Sequence, residues 1–414
     1  MSGLLETLLY CIISALSFAT LILFTASVTR RYFRLRMFTE LDKSREFYRE
    51  RIEKSLLSGT LTKKKEQLRY PYGSSKWKAI EEILLGYLEE PQYYEVISSL
   101  FKSLGYISHY ERMTQRKDRI QQAYAIDMLG KMRSEGSTDL LLSLLMKGEG
   151  EIVTVTTRAL SKIGSKGALK GILSRMPDLL KNRHITRKAL VTSLVQFADT
   201  GINTLLDFFR ESPHPWIKAL VLDALSHMRS VETLPAAIEG FKDPHSEVRA
   251  KALKLVSMLG ETISFDPTHI YPLLVDSSWF VRLHAARALG NLGIEESAHL
   301  LRGMLMDSSW QVRNAAASSL SRMGRRGVEA FREIMGRDDN YAKETVCEEL
   351  EKTGMVHRLI EDLGSEKNER CLAAREIIGT MCSLNFRTQC EAYASHGENV
   401  KVREELARLI EGGK

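Results

Sequence analysis

The feature that most constrains this chain is a seven-residue phrase written twice. Asp276-Ser277-Ser278-Trp279-Phe280-Val281-Arg282 returns as Asp307-Ser308-Ser309-Trp310-Gln311-Val312-Arg313, 31 residues later. Each copy leads into an Ala-rich stretch with helical spacing. Self-similarity at a fixed period of this length is the signature of stacked supersecondary units, none of which can bury its apolar face alone. Such a chain grows by adding neighbours, so its contacts are local and its surface is long.

With Val281 as reference, an Asp stands five residues before, an Arg one after, Ala at four and five after, and Leu at eight. Asp243, Val248, Arg249, Ala252 and the pair Leu255 and Val256 fit the same pattern 33 residues earlier. Looser copies precede these at Gln121, Ile152, Thr186-Arg187 and Ile217-Lys218. Others follow through Ala342 to Leu350 and through Ala373-Ala374 to Ile378-Gly379, and Val402-Arg403 to Leu409 closes the series. The count is nine units and a terminal half unit.

Each unit reads as two helices. Val281, Ala285, Ala288 and Leu289 recur at helical spacing and form a narrow apolar stripe. Gly293 suits the left-handed conformation at a helix C-terminus. A second helix follows, with Ser297, Ala298, Leu301 and Leu305 facing inward. The Asp307-Ser308-Ser309 step offers N-cap side chains for the next unit. No stretch alternates at period two, so no sheet is expected.

These residues resemble HEAT repeats, specifically the short bacterial form first described in phycobilin lyases. The resemblance covers roughly residues 116–414 and is strongest over 243–324. It implies an all-α fold, a right-handed α-solenoid of stacked helical hairpins, here preceded by a single transmembrane helix. In that family the Asp and the Arg after Val form a ladder between consecutive units. Asp243, Asp276 and Asp307 with Arg249, Arg282 and Arg313 match it, which gives these six a structural role.

The transmembrane expectation rests on Thr7 to Val28, 22 residues without a charge. That length suffices for a hydrocarbon core of ~30 Å. Arg30, Arg31, Arg34 and Arg36 follow directly, whereas only Glu6 and the amine precede. The positive-inside rule then puts the N-terminus outside and the array in the cytoplasm, and the resemblance to the short bacterial repeat implies the cell membrane of a bacterium. A cleaved signal peptide would carry its basic residues ahead of the apolar run.

Charge divides the same way. The net charge is +7, and residues 30–70 hold 13 Lys and Arg against 6 Asp and Glu, so the array itself is close to neutral. Arg30, Arg31, Arg34, Arg36, Lys63, Lys64 and Lys65 are candidate contacts for anionic lipid. The alternative is that they only fix topology and solvate a linker helix. The expected organisation is an anchor over 1–29, a basic stalk helix over 30–70, a capping hairpin over 71–115 and the repeat array over 116–414.

Chemistry-bearing motifs are scarce. There is no phosphate loop, zinc-protease helix or nucleophile elbow. None of the ten His residues is followed by Glu, so the His-Glu pairs of iron-binding HEAT-repeat hydroxylases are absent. The Cys spacings do not suit a metal, and Cys11, Cys347, Cys371, Cys382 and Cys390 read as reduced thiols. No cofactor or metal is expected. A near-neutral array lacks the basic groove that phosphates require, so nucleic acid is not an expected partner.

Two surfaces remain. His299, Arg302, Met306, Arg332 and Glu333 fall outside the apolar stripe of the second helices and are candidate partner contacts. Trp279 and Trp310 mark the starts of first helices, as does Trp216. Either these rings pack into the turns between units or they form an exposed docking strip. The reading is a non-enzymatic, membrane-tethered scaffold that binds a cytosolic protein or a cytosolic part of a membrane protein. The alternatives are a regulatory subunit of a membrane enzyme, such as an envelope glycosyltransferase, and an enzyme of the bilin-lyase kind.

Overall fold

The computed structural model describes residues 2–181, 185–260 and 263–412, with side chains described from Leu16 onward, Asp199 apart. It divides into two compact units, Met1–Ala168 and Leu169–Lys414. Among the described residues there is no strand.

The first unit opens with α1 (Ser2–Leu57), followed by α2 (Ser75–Tyr87), α3 (Tyr94–Ser103) and α4 (Tyr106–Met113). Then come α5 (Arg119–Lys131), α6 (Thr138–Lys147) and α7 (Gly150–Ile163). Leu41, Tyr48, Ile52 and Leu56 lie on one stripe of α1 and are buried, and α1 packs against α2 there. The chain leaves α1 through Gly59, whose φ of 64° is a conformation that suits glycine. Ser74 caps α2, its hydroxyl accepting from the Trp77 N–H at 3.2 Å. Inside, the Tyr106 hydroxyl donates to the Trp77 carbonyl at 2.9 Å and the Tyr110 hydroxyl to Glu81 at 2.6 Å.

The single-span assignment does not stand. Among the described residues no helix is long and apolar enough to cross a membrane. Of the stretch Thr7 to Val28, the residues with described side chains are Leu16 to Val28, and Arg30 and Arg31 follow them closely. The earlier part of the expected anchor, Thr7 to Ala15, lies outside the residues whose side chains are described. The outside N-terminus and the cytoplasmic, membrane-bound location therefore fall as well. Arg30, Arg31, Arg34, Arg36, Lys63, Lys64 and Lys65 are all exposed, the first four along α1.

The second unit begins within α8 (Lys166–Lys181) and runs through α9 (Arg187–Val195), α10 (Ala198–Glu211), α11 (Pro215–Met228) and α12 (Leu234–Gly240). It continues with α13 (Ser246–Leu259), α14 (Trp279–Asn291), α15 (Ala298–Met304) and α16 (Trp310–Leu320). The last helices are α17 (Gly324–Met335), α18 (Asn340–Thr353), α19 (Met355–Leu363), α20 (Asn368–Ser383), α21 (Thr388–His396) and α22 (Val400–Gly412).

Successive first helices α9, α11, α13, α14, α16 and α18 pack on one another, which makes this unit a helical solenoid. Val281, Ala285, Ala288 and Leu289 are all fully buried between units. Gly293 has φ 67° as it ends the α14 turn. Small residues let the helices close up. A Cβ built on Gly290 of α14 would stand 2.8 Å from the Cα of Ser319 on α16. Gly130 of α5 repeats the device in the first unit, where a Cβ would stand 2.6 Å from the Cα of Ala159.

One unit departs from the two-helix pattern. Between α13 and α14 the second arm consists of two short 3-10 turns, Pro267–His269 and Tyr271–Val275. Pro267 and Pro272 remove the N–H groups that a continuous α-helix would need.

Candidate interaction surface

The turns before α14 and α16 are built by an Asp and held by an Arg. Arg282 donates from Nε and Nη2 to the two carboxylate oxygens of Asp307, both at 2.7 Å. Its Nη1 donates to the carbonyl of Asp276 at 2.8 Å. Arg249 does the same one unit earlier, reaching Asp276 at 2.7 and 2.9 Å and the Asp243 carbonyl at 2.9 Å. Each guanidinium thus ties its own turn to the next one in the fork geometry that Arg and carboxylate share.

The Asp-Ser-Ser steps shape the turn and do not cap the helix through a side chain. Ser278 and Ser309 occupy the N-cap positions without bonding the helix through their side chains. Asp276 and Asp307 instead accept from the N–H of Ser278 and of Ser309, at 2.9 and 2.8 Å. Burial pushes the Asp307 carboxyl up, but the Arg282 bonds and the Ser309 N–H outweigh it and hold it below the usual carboxylate range.

The ladder has two ends. At Asp243 the Arg is replaced by Lys218, whose Nζ lies 3.7 Å from the carboxylate. At the other end Arg313 donates Nη1 to the Asp307 carbonyl at 3.0 Å but holds no carboxylate among the described residues. Its Nε is buried without a hydrogen-bond partner there. The ring of Tyr341 lies beside it, 5.7 Å from the guanidinium carbon.

The same turns carry an apolar edge. Trp279, Trp310 and Tyr341 occupy the first turns of α14, α16 and α18 at 31-residue intervals, and are 44%, 59% and 72% exposed. Val275 and Met306, each directly before a ladder Asp, are exposed beside them. Packed helices lie about 8–10 Å apart, so the rings form a row with that pitch. Of the two readings open for Trp279 and Trp310, the structure shows exposed rings. Trp216 differs, being half-buried with its ring 5.8 Å from that of His214.

The second-helix candidates come together differently. His299, Arg302 and Glu333 line one hollow of about 230 Å³ between α15 and α17. Arg302 pairs with Glu333, and Arg332 forms a two-pronged pair with Glu376 at 2.6 and 3.0 Å. Arg326 lies 3.4 Å from Glu296. His299 places its Nδ1 2.9 Å from the Glu296 carbonyl. Met306 belongs with the aromatic edge. The charges on the second-helix face are therefore largely satisfied by one another, and a partner would have to break those pairs to use them.

Sequence reasoning missed a hollow of about 720 Å³ on the first helices α9, α11 and α13. Val191, Trp216 and Leu220 give it an apolar floor. Arg187 and Glu247 meet at 3.2 Å, from α9 to α13. Asp223 on its wall takes Lys254 at 2.7 Å and Lys251 at 3.1 Å. The signal was present as opposite charges one period apart, since Asp223 and Lys254 are separated by 31 residues.

His284 is half-buried in α14, and burial, with Arg287, Lys251 and Lys254 nearby, lowers its pKa to about 4. It is neutral at physiological pH. Among the described residues no group of three or more His, Cys, Asp and Glu could hold a metal ion.

Residues 267–351 match the family described as HEAT repeats. No curated protein matches the chain. Among solved structures it is similar to an engineered protein at 16% identity and a TM-score of 0.32, over 85% of this chain and 98% of that one. A chain in the structure of Kap95p with RanGDP aligns at 12% identity and a TM-score of 0.40, over 86% of this chain and 58% of that one. A mutant Kap121p aligns at 12% identity and a TM-score of 0.39, over 82% and 46%. Likenesses this distant say nothing about activity or partner. The hairpins over 267–351 are similar to HEAT repeats.

Proposed function

We propose that this chain is a non-enzymatic scaffold that binds a partner protein along the edge formed by the first turns of α14, α16 and α18. The observation that carries the reading is the row of Trp279, Trp310 and Tyr341. A turn between repeats needs no exposed indole for folding, and large aromatic rings left in water at regular pitch offer contact area at low entropic cost. The second-helix face supports the role less well, because Arg302, Glu333, Arg332 and Glu376 already neutralise one another.

The test is a photo-crosslinking side chain placed at position 310 of the full chain in cells, with a control at Arg358 on α19. A recurrent protein captured from 310 and not from 358 is expected. When purified, it should bind the wild-type chain and lose affinity for Trp279→Ala and Trp310→Ala. A purified partner that binds both variants as tightly as the wild type would refute the edge.

A further inference from the structure

We propose that the terminal rung of the ladder is a recognition seat: Arg313 takes a carboxylate side chain from an extended segment of the partner, with apolar side chains on either side of that carboxylate lying on Trp310, Met306 and Tyr341. The inference rests on the edge being the binding surface and adds the chemistry of what binds there.

The chain itself shows what this position accepts. Arg249 and Arg282 stand in the same place in the two preceding units, and each holds a carboxylate through Nε and Nη2. Arg313 is anchored identically, by Nη1 to the carbonyl of its own Asp, so its fork is already oriented. What it lacks is the acid. Its Nε is the one guanidinium nitrogen among the described residues that is buried without a partner. A buried donor left unpaired costs free energy that an arriving acceptor recovers.

The missing acid has a local cause. Asp338 lies 31 residues after Asp307 and would be the next rung, but it is exposed and makes no bond to Arg313. Helices α14 and α16 begin three residues after their ladder Asp, whereas α18 begins at Asn340, two after Asp338. Asp339 takes over the cap, accepting from the Ala342 N–H at 3.0 Å, and Asp338 is carried out of register. The rung is thereby left open where the aromatic row runs. Tyr341 lies beside the guanidinium with its ring mostly in solvent, so it can turn aside and cover an incoming chain. Exposed Arg337, with Nη1 3.8 Å from the Met306 sulfur, adds a second positive charge at the same point.

An acidic, apolar peptide fits these features, and a basic one does not. Phage-displayed random peptides of twelve residues, selected on the full chain, would test this. Selected peptides should share one Asp or Glu between apolar residues. A synthetic peptide with that acid changed to its amide should bind at least tenfold more weakly. Arg313→Gln should cause a similar loss, and Arg313→Lys, which keeps the charge but not the fork, should recover only part of it. Because Arg313 holds no internal carboxylate, only its bond to the Asp307 carbonyl, both variants should stay folded and lose less stability than Arg282→Gln, which separates lost recognition from lost folding. Peptides that need Trp310 but carry no acid, or that ignore Arg313→Gln in a folded chain, would overturn the seat and leave the edge standing. Selection of no peptide sensitive to Trp279→Ala or Trp310→Ala would remove the edge, and the seat with it.

Discussion

Gly290→Ala is the substitution whose sign the structure decides most sharply. Taken alone, replacing a helical Gly by Ala favours the helix by up to ~1 kcal/mol. Here the added methyl would stand 2.5 Å from the Ser319 Cβ and 2.8 Å from its Cα, at the crossing of α14 and α16. Backbone cannot yield as a flexible side chain can, so the two helices must separate. They would take with them the Ser319 hydroxyl, which donates to the Ala286 carbonyl at 2.9 Å, and the sealed contact around Leu289 and Leu320. Overpacking of this kind costs about 1–3 kcal/mol, and the loosened interface adds to it, so the net change is a destabilisation of about 1–2 kcal/mol. Gly303 of α15 is the control. Nothing lies within 4 Å of the place a methyl would take there, so Gly303→Ala should be neutral or stabilising by up to ~1 kcal/mol. Urea unfolding of the full chain, followed by hydrogen exchange of peptides from α14 and α16, reads both. Since stability in a stack is a sum over neighbours, Gly290→Ala should also broaden the transition. If Gly290→Ala matched or exceeded Gly303→Ala in stability, the close crossing would be wrong.

Three further outcomes follow from the same geometry. Asp307→Asn keeps the oxygen that accepts from Ser309 but leaves Arg282, whose side chain is only 15% exposed, without its counter-charge. A loss of roughly 2–4 kcal/mol is expected in urea unfolding, and adding Arg282→Met should recover part of it. Leu289→Asp places a charge at a fully buried site between units and should cost several kcal/mol, measured in the same way; an unchanged melt would mean the helix register is wrong. Glu81 is buried, and burial raises its pKa to about 7 despite the Tyr110 hydroxyl bond. The folded state thus holds a proton that the unfolded state has already lost, so this group lowers stability as pH rises from about 4.5 to 7, by at most roughly 3 kcal/mol. Glu81→Gln should flatten that slope in hydrogen exchange over residues 75–113, and an unchanged slope would refute the assignment.

The sequence carried the repeating parts of this fold because they are local. The stripe of Val281, Ala285, Ala288 and Leu289 needs only helical periodicity, and all four residues are buried. Asp and Arg recur at one period because each Arg reaches only the neighbouring turn. Other features depend on residues that no fixed spacing connects. Arg332 meets Glu376 from 44 residues away, so it is not free to meet a partner. Val191, Trp216 and Lys251 share a hollow only because α9, α11 and α13 stack as they do. Pro267 and Pro272 stand where the two-helix reading of each unit implies a second helix, and the chain forms 3-10 turns there instead. In α1, hydrophobicity counted along the sequence suggested a span, and among the described residues no helix is long and apolar enough to make one.

The open rung arises from the departure of a repeat from its own rule, at the end of an aromatic edge that also runs through the regular units. Where the rule holds, Asp276 and Asp307 consume the guanidinium forks of Arg249 and Arg282, and the turns are closed to anything else. Where helix α18 starts one residue early, Asp339 caps it, Asp338 leaves, and an oriented Arg is left beside exposed Trp310 and Tyr341. A solenoid can gain a binding position in this way without new secondary structure, by withholding one internal partner. Restoring the rule should therefore close the site. Inserting one Ser between Asp338 and Asp339, together with Asp339→Ser, would put Asp338 three residues before the helix, as Asp276 and Asp307 stand before theirs. Asp338 should then pair with Arg313 and raise the local stability of α18 in hydrogen exchange, while recognition of acidic peptides is abolished. Stabilisation with peptide binding retained would show that Arg313 is not where the carboxylate goes.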